Sequence, residues 1–231
     1  MLCMGLAYQP MGAVVDYELT MSMPYRLTAD TGIDAMCHAL EAYVSKKANL
    51  FSDAQALAAL GAIGEHLVTA CEDPENHKAR EGMMMASTSA GLAFSNASVT
   101  LVHGMSRPIG AHFHVPHGMS NAMLVPAITE WSVEHAVERY ATAARVLGFA
   151  APDAGDEDAA SGLAAKLYAL NAHLSVPTLQ EFGVEQELFD SSVADMSVEA
   201  IGSGSPANNP RVPTEGDVEE LYKSIWAAGQ L

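Results

Sequence analysis

The chain has 231 residues, of which 49% are hydrophobic, enough to bury one large core or two small ones. Its 28 acidic against 11 basic residues leave a formal net charge of −17, a surface that repels nucleic acid and anionic membranes over long range. Three cysteines, Cys3, Cys37 and Cys71, are an odd count without paired spacing. With no signal peptide and no 18-residue apolar run, a reduced, cytoplasmic setting off the membrane is expected.

The apolar residues lean towards Ala, Leu and Met, which favour helix, and β-branched runs are scarce beyond the N-terminus. Near that terminus AVVD, ending at Asp16, reads as one short strand, which cannot form a sheet alone. Thr31 or Asp30 is placed to cap a first helix ending near Val44, with Ile33, Met36, Cys37, Leu40 and Val44 on its apolar side. A second helix is expected from Ser52 to about Cys71. A third opens at Pro74 or Glu75 and runs to about Ser95, carrying Met83, Met84 and Met85 as adaptable core filler. Ser98 to Ser106 forms a fourth piece that stops before Pro108, and Pro116 suits the first turn of the next helix. That helix is expected to bend or break at Pro126, with Trp131, Val137 and Tyr140 packed beyond it and Glu138 and Arg139 towards solvent. Further helices are expected from about residue 157 to His173, after Thr178, in EQELFDSSVADMSVEAI, and after Pro213 and Thr214.

Two segments carry chemistry. HGMSRPIGAHFHVPHG, from His103 to Gly118, holds four of the nine histidines. The other segment, earlier in the chain, puts Asp34 and His38 one helical turn apart, on the same face, with Glu41 three residues further along the stripe. An Asp and three His suit Fe²⁺ or Zn²⁺. Spacing alone does not choose among His103, His112, His114 and His117 for the remaining ligands. An acid and a histidine four apart also arise by chance, with Asp34 serving the helix N-terminus and His38 the core. Cys37, beside His38 and about 100° round the helix, reads as a buried structural thiol.

The segments GIDAMCHALEAYVS, AFSNASVTLVHGMSRPIGAHFHVPHG, SNAMLVP and the late NNPR resemble the iron-containing (group III) alcohol dehydrogenases, and the likeness runs from near AVVD to the C-terminus. The resemblance implies an all-α, bundle-like C-terminal metal-binding domain. Residues 1–24 would be the remnant end and linker of a nucleotide-binding domain, and residues 25–231 the helical domain. It implies Asp34, His38, His103 and His117 as ligands of Fe²⁺ or Zn²⁺, so that His112 and His114 are not ligands. Phe94 would line the nicotinamide and substrate cleft. Where the family often has a proton-relaying histidine four residues after its third ligand, this chain has Arg107, which stays protonated and suits an anion or a substrate oxygen. His112 becomes a relay candidate only if its loop turns it inward.

No GxGxxG-type fingerprint is present, so NAD or NADP would be held by a nucleotide-binding domain missing from this chain. The expected reaction interconverts a small alcohol and its aldehyde or ketone, and the chain alone is expected to bind metal with little or no turnover. Without the nucleotide-binding domain an apolar patch around Phe94 would be exposed, a self-association or aggregation liability, and a homo-oligomer is a possible assembly. Two rival readings remain: a non-catalytic, metal-stabilised interaction module, and a metal-dependent hydrolase or dehydratase with Glu41 as its base.

Overall fold

The computed structural model describes residues 10–229, and Cys3 lies outside them. Ten α-helices form the body: α1 Tyr25–Val44, α2 Leu50–Glu72, α3 His77–Ala97, α4 Leu101–Phe113, α5 His117–Ser132, α6 Val137–Val146, α7 Asp156–His173, α8 Leu179–Phe182, α9 Gln186–Gly202 and α10 Glu215–Ala228. Among the described residues there is no strand. Residues 12–16 are irregular, with Val14 exposed, so the AVVD strand expected from sequence is absent, and the described residues offer no other strand for it to pair with.

Several helix starts are written locally. Asn49 and Ser52 form a reciprocal cap on α2, Thr178 and Glu181 on α8, and Thr214 and Asp217 on α10. Asn76, rather than Pro74 or Glu75, caps α3. The first helix instead begins at Tyr25, a turn and a half before the expected cap. Its N-cap is Pro24, which makes no side-chain bond, and Asp30 lies inside the helix paired to Arg26 at 2.5 Å. Both proline-containing helices also run on: α4 continues through Pro108 to Phe113, and α5 through Pro126 to Ser132. Each proline forfeits one backbone bond, and burial of Met105, Ile109, Leu124 and Ile128 around them holds the helices together.

Helix α1 is the axis of the molecule. It is buried on nearly every face from Thr28 to Val44 and packs on α2, α3 and α5, with lighter contacts to α6 and α4. Its buried residues include Asp30 and Glu41 as well as the apolar side chains, so this core helix carries polar groups that need partners. Helix α2, by length and composition alone, is apolar enough to cross a membrane, and here it spends Ala56, Ala59, Leu60, Ile63 and Leu67 on the interior. Cys37 is buried, as expected. Met83 packs against the core, but Met85 is half exposed, so the methionine run is not uniformly filler. Arg139 likewise departs from its expected solvent position. It stacks 4.0 Å over the Tyr43 ring, donates to the Tyr43 carbonyl and pairs with Asp53 at 2.5 Å, tying α6 to α1 and α2.

Helix α5 meets α1 closely at Gly118, in its first turn, where an added Cβ would lie 2.5 Å from the Asp30 carbonyl oxygen. The missing side chain lets α5 press its N-terminus onto α1.

Candidate metal centre

Three helices deliver the polar cluster. Asp34 and His38 lie one turn apart on α1, His103 sits in the first turn of α4, and His117 is the first residue of α5. The turn that launches α4 is sharp: Ser98 takes a positive φ of 65°. Asn208, from the NNPR segment, secures it by donating to Ser98 Oγ and the Val99 carbonyl. His114, at φ 58°, ends α4 in the left-handed region, and the short link after it returns the chain so that His117 lies beside His103.

One ligand-type atom from each of Asp34, His38, His103 and His117 lies within 4.8 Å of the other three. Asp34 Oδ1 is the hub, 3.3 Å from His103 Nε2, 3.7 Å from His117 Nε2 and 3.9 Å from His38 Nδ1. The His38 ring is stacked between Phe94, with centroids 4.3 Å apart, and His103, at 4.4 Å. Burial is graded across the set. The side chain of His103 is 3% exposed and that of His117 49%, so the cluster opens towards solvent on the His117 side.

Beneath His103 lies Glu41, wholly buried. Its Oε1 accepts from the Thr100 backbone N–H at 2.9 Å, the Thr100 hydroxyl at 2.9 Å and the His103 N–H at 3.3 Å, while its Oε2 receives His103 Nδ1. Thr100 makes no capping bond of its own to α4, so a carboxylate from α1 caps that helix through space. The same carboxylate fixes the His103 tautomer with Nδ1 protonated and Nε2 towards the cluster.

The electrostatics follow from this crowding. Burial, together with the charge of His103, pushes His38 down to about 4. Burial also opposes protonation of His103, but Glu41 and Asp34 outweigh it and lift that imidazole to about 9. Asp34 and Glu41 are each raised by burial and pulled below the usual carboxylate range by their histidine partners. His117 is lowered by burial, with the charges of His103 and Arg107 adding to it against the pull of Asp34.

This donor set fits a divalent cation. Three borderline imidazole nitrogens and one hard carboxylate oxygen converge, and a carboxylate orients one imidazole from behind. A further sign is Asn121, one turn after His117. Its Nδ2, a positively polarised group, lies among the ligand atoms, while its Oδ1 is buried without a partner.

The other residues named from sequence fare differently. Arg107, one turn after His103, is exposed and donates to Ser205 Oγ at 3.0 Å, within electrostatic reach of His117. His112 is not turned inward. It lies on α4 rather than in a loop, two and a half turns beyond His103 and so on the opposite face, where Nε2 meets the Glu199 carboxylate of α9 at 3.2 Å. Phe94 is partly buried, with its ring against His38. Sequence reasoning overlooked Asn121, whose signal was its place four residues after His117.

Comparison with known proteins gives a consistent picture. Residues 28–226 match the family model described as the Fe-containing alcohol dehydrogenase family, C-terminal. The chain is 36% identical over 215 residues to the NADPH-dependent butanol dehydrogenase of Clostridium saccharobutylicum, covering 93% of this chain and 54% of that protein. It is 38% identical over 239 residues to the bifunctional aldehyde-alcohol dehydrogenase AdhE of Escherichia coli (strain K12), covering 95% of this chain and 27% of the relative. Among solved structures, a 1,3-propanediol oxidoreductase superposes with a TM-score of 0.85 at 33% identity, over 91% of this chain and 54% of the other. The chain thus spans about half the length, or less, of the curated relatives it matches.

Proposed function

Because the chain belongs to the Fe-containing alcohol dehydrogenase family, we propose that it is the metal-binding catalytic half of an NAD(P)-dependent dehydrogenase acting on a small alcohol and its aldehyde or ketone. The observation that carries this reading is the convergence of Asp34, His38, His103 and His117 within 4.8 Å. These four residues would hold Fe²⁺ or Zn²⁺. Residues 25–231 would be the helical domain, and a nucleotide-binding domain would close the cleft from the other side. Relatives named for butanol, 1-propanol, 1,3-propanediol and lactaldehyde support a short-chain substrate.

Held by these four side chains, the cation would supply Lewis acidity at a substrate oxygen, and the nicotinamide would supply the hydride chemistry. The chain's own residues do the rest. Glu41 orients His103, and Phe94 packs flat on His38 and presents an apolar wall beside the cluster. Arg107, a fixed cation near the open side, holds a substrate oxygen or anionic group. It cannot act as a neutral base. With His112 held at Glu199, the proton is left to water or a ribose hydroxyl.

The hydrolase reading needs Glu41 as a general base, and its burial beneath His103 with four donors on it removes it from any substrate. Metal titration of the chelator-treated chain tests the proposal. One equivalent of Fe²⁺ or Zn²⁺ should bind, with NAD(P)H turnover of a simple aldehyde near zero. Binding that vanishes in none of the four single alanine variants refutes the site, and robust turnover by the 231-residue chain refutes the division of labour. If metal binding alters only thermal stability, even when a nucleotide-binding domain is supplied, the non-catalytic module is the correct reading.

A further inference from the structure

Asn121 is completely buried in α5, and its carboxamide faces the ligand atoms themselves. The Nδ2 atom is 2.6 Å from Asp34 Oδ1, 3.2 Å from His117 Nε2 and 3.2 Å from His103 Nε2. An amide nitrogen offers two hydrogens and no lone pair to a metal. The two amide hydrogens are therefore directed at these three atoms, with Asp34 Oδ1 the shortest contact. Each neutral imidazole nitrogen has a single lone pair, so His117 Nε2 cannot accept the amide hydrogen and ligate an ion together.

We propose that the Asn121 carboxamide and a divalent cation compete for the same ligand atoms, so that this side chain sets the affinity of the centre from within. The proposal rests on the metal-centre reading and adds a residue that reading does not use. Asn121 ties Asp34 on α1 to His117 on α5, which keeps the ligands gathered between metal-binding events. A cation entering the cluster must displace the amide hydrogens.

The test is a Zn²⁺ titration of the chelator-treated 231-residue chain against a chromophoric competitor, for wild type, Asn121→Ala and Asn121→Ser. Melting temperatures are taken with chelator and with saturating Zn²⁺. Losing the competing hydrogen bonds should tighten Zn²⁺ binding about tenfold. The Zn²⁺-induced rise in melting temperature should grow, because the packing loss is common to both states and cancels. In the wild type, the side-chain amide resonances of Asn121 should shift and saturate at one equivalent. Equal or weaker Zn²⁺ binding in Asn121→Ala overturns the proposal, as do amide resonances that do not move. Asn121→Ser decides by the same criterion if the alanine variant does not fold. Absence of Zn²⁺ binding in the wild type removes the metal centre and this proposal together, whereas wild-type binding with no gain in the variants removes this proposal alone.

Discussion

Replacing Glu41 by glutamine keeps the shape of the side chain and removes one charge and one acceptor. The wild-type Oε1 serves three donors, two from Thr100 and one from the His103 backbone. The glutamine oxygen keeps that position, because turning the amide round would set its N–H groups against three N–H or O–H donors. The new NH₂ must then face His103 Nδ1, which turns from donor to acceptor, and the imidazole proton moves to Nε2. The lone pair that points into the cluster is lost in the favoured tautomer. Substitution of such outer partners typically weakens metal binding 10–100-fold, about 1.4–2.7 kcal/mol. Competition titration of Zn²⁺ against a chromophoric chelator should show that loss in Glu41→Gln. The variant should keep its helical circular dichroism, since the helix cap survives on the glutamine oxygen. Zn²⁺ affinity within twofold of wild type in a folded Glu41→Gln protein would refute the reasoning, because His103 would then be presenting Nε2 without help.

The same network predicts a pH optimum for stability in the presence of chelator. His103 is raised to about 9 from an ordinary 6.5, so its contribution is complete below pH 6.5 and is lost as pH climbs towards 9. His38 is depressed to about 4, so its contribution is present above pH 6.5 and is lost as pH falls towards 4. Denaturant midpoints measured from pH 4.5 to 9 should therefore peak near 6.5, and a midpoint that climbs steadily to pH 9 would contradict the His103 assignment. Gly118→Ala drives a methyl into the Asp30 carbonyl. It should cost about 1–3 kcal/mol in chemical denaturation and weaken Zn²⁺ binding by lifting His117 off α1. Arg107→Ala should raise the His117 pKa, because the guanidinium helps hold it down. An imidazole titration followed by NMR in chelator checks the direction, and an unchanged His117 would place Arg107 outside the site.

The helices most legible in the sequence were those whose signals are local. Thr178 with Glu181 and Thr214 with Asp217 announce α8 and α10 within four residues. The start of α1 was missed because no side chain caps it. The Arg26–Asp30 pair, one helical turn apart, was there to be read, whereas the burial of Thr28 and Ala29 that follows it depends on other helices. Pro108 and Pro126 misled in the opposite sense. Each carries a real local penalty, and each is overridden by burial of its own helix in the core, through Met105 and Ile109 in α4 and Leu124 and Ile128 in α5. The AVVD pattern had strand propensity but no partner strand among the described residues, and propensity without a partner does not make a strand.

For the site, helical spacing was enough to join Asp34 to His38, because both ride on one helix. It could not choose among the four histidines of the second segment. That choice is made by the left-handed residue His114 and the turn it ends, which bring His117 back to His103 and leave His112 facing Glu199. Resemblance to the family pointed to the four side chains that converge in the fold, where spacing could not. Yet the stripe Asp34, His38, Glu41 held more information than a ligand pair. It lies on a helix buried on almost every side, and a carboxylate there must find a charged or multiply donating partner or remain protonated. Glu41 finds that partner in the first turn of α4, where one helix start supplies the Thr100 and His103 donors and the His103 imidazole together. The buried acid on α1 therefore both begins α4 and aims its histidine, so the fold and the chemistry of this centre depend on the same side chain.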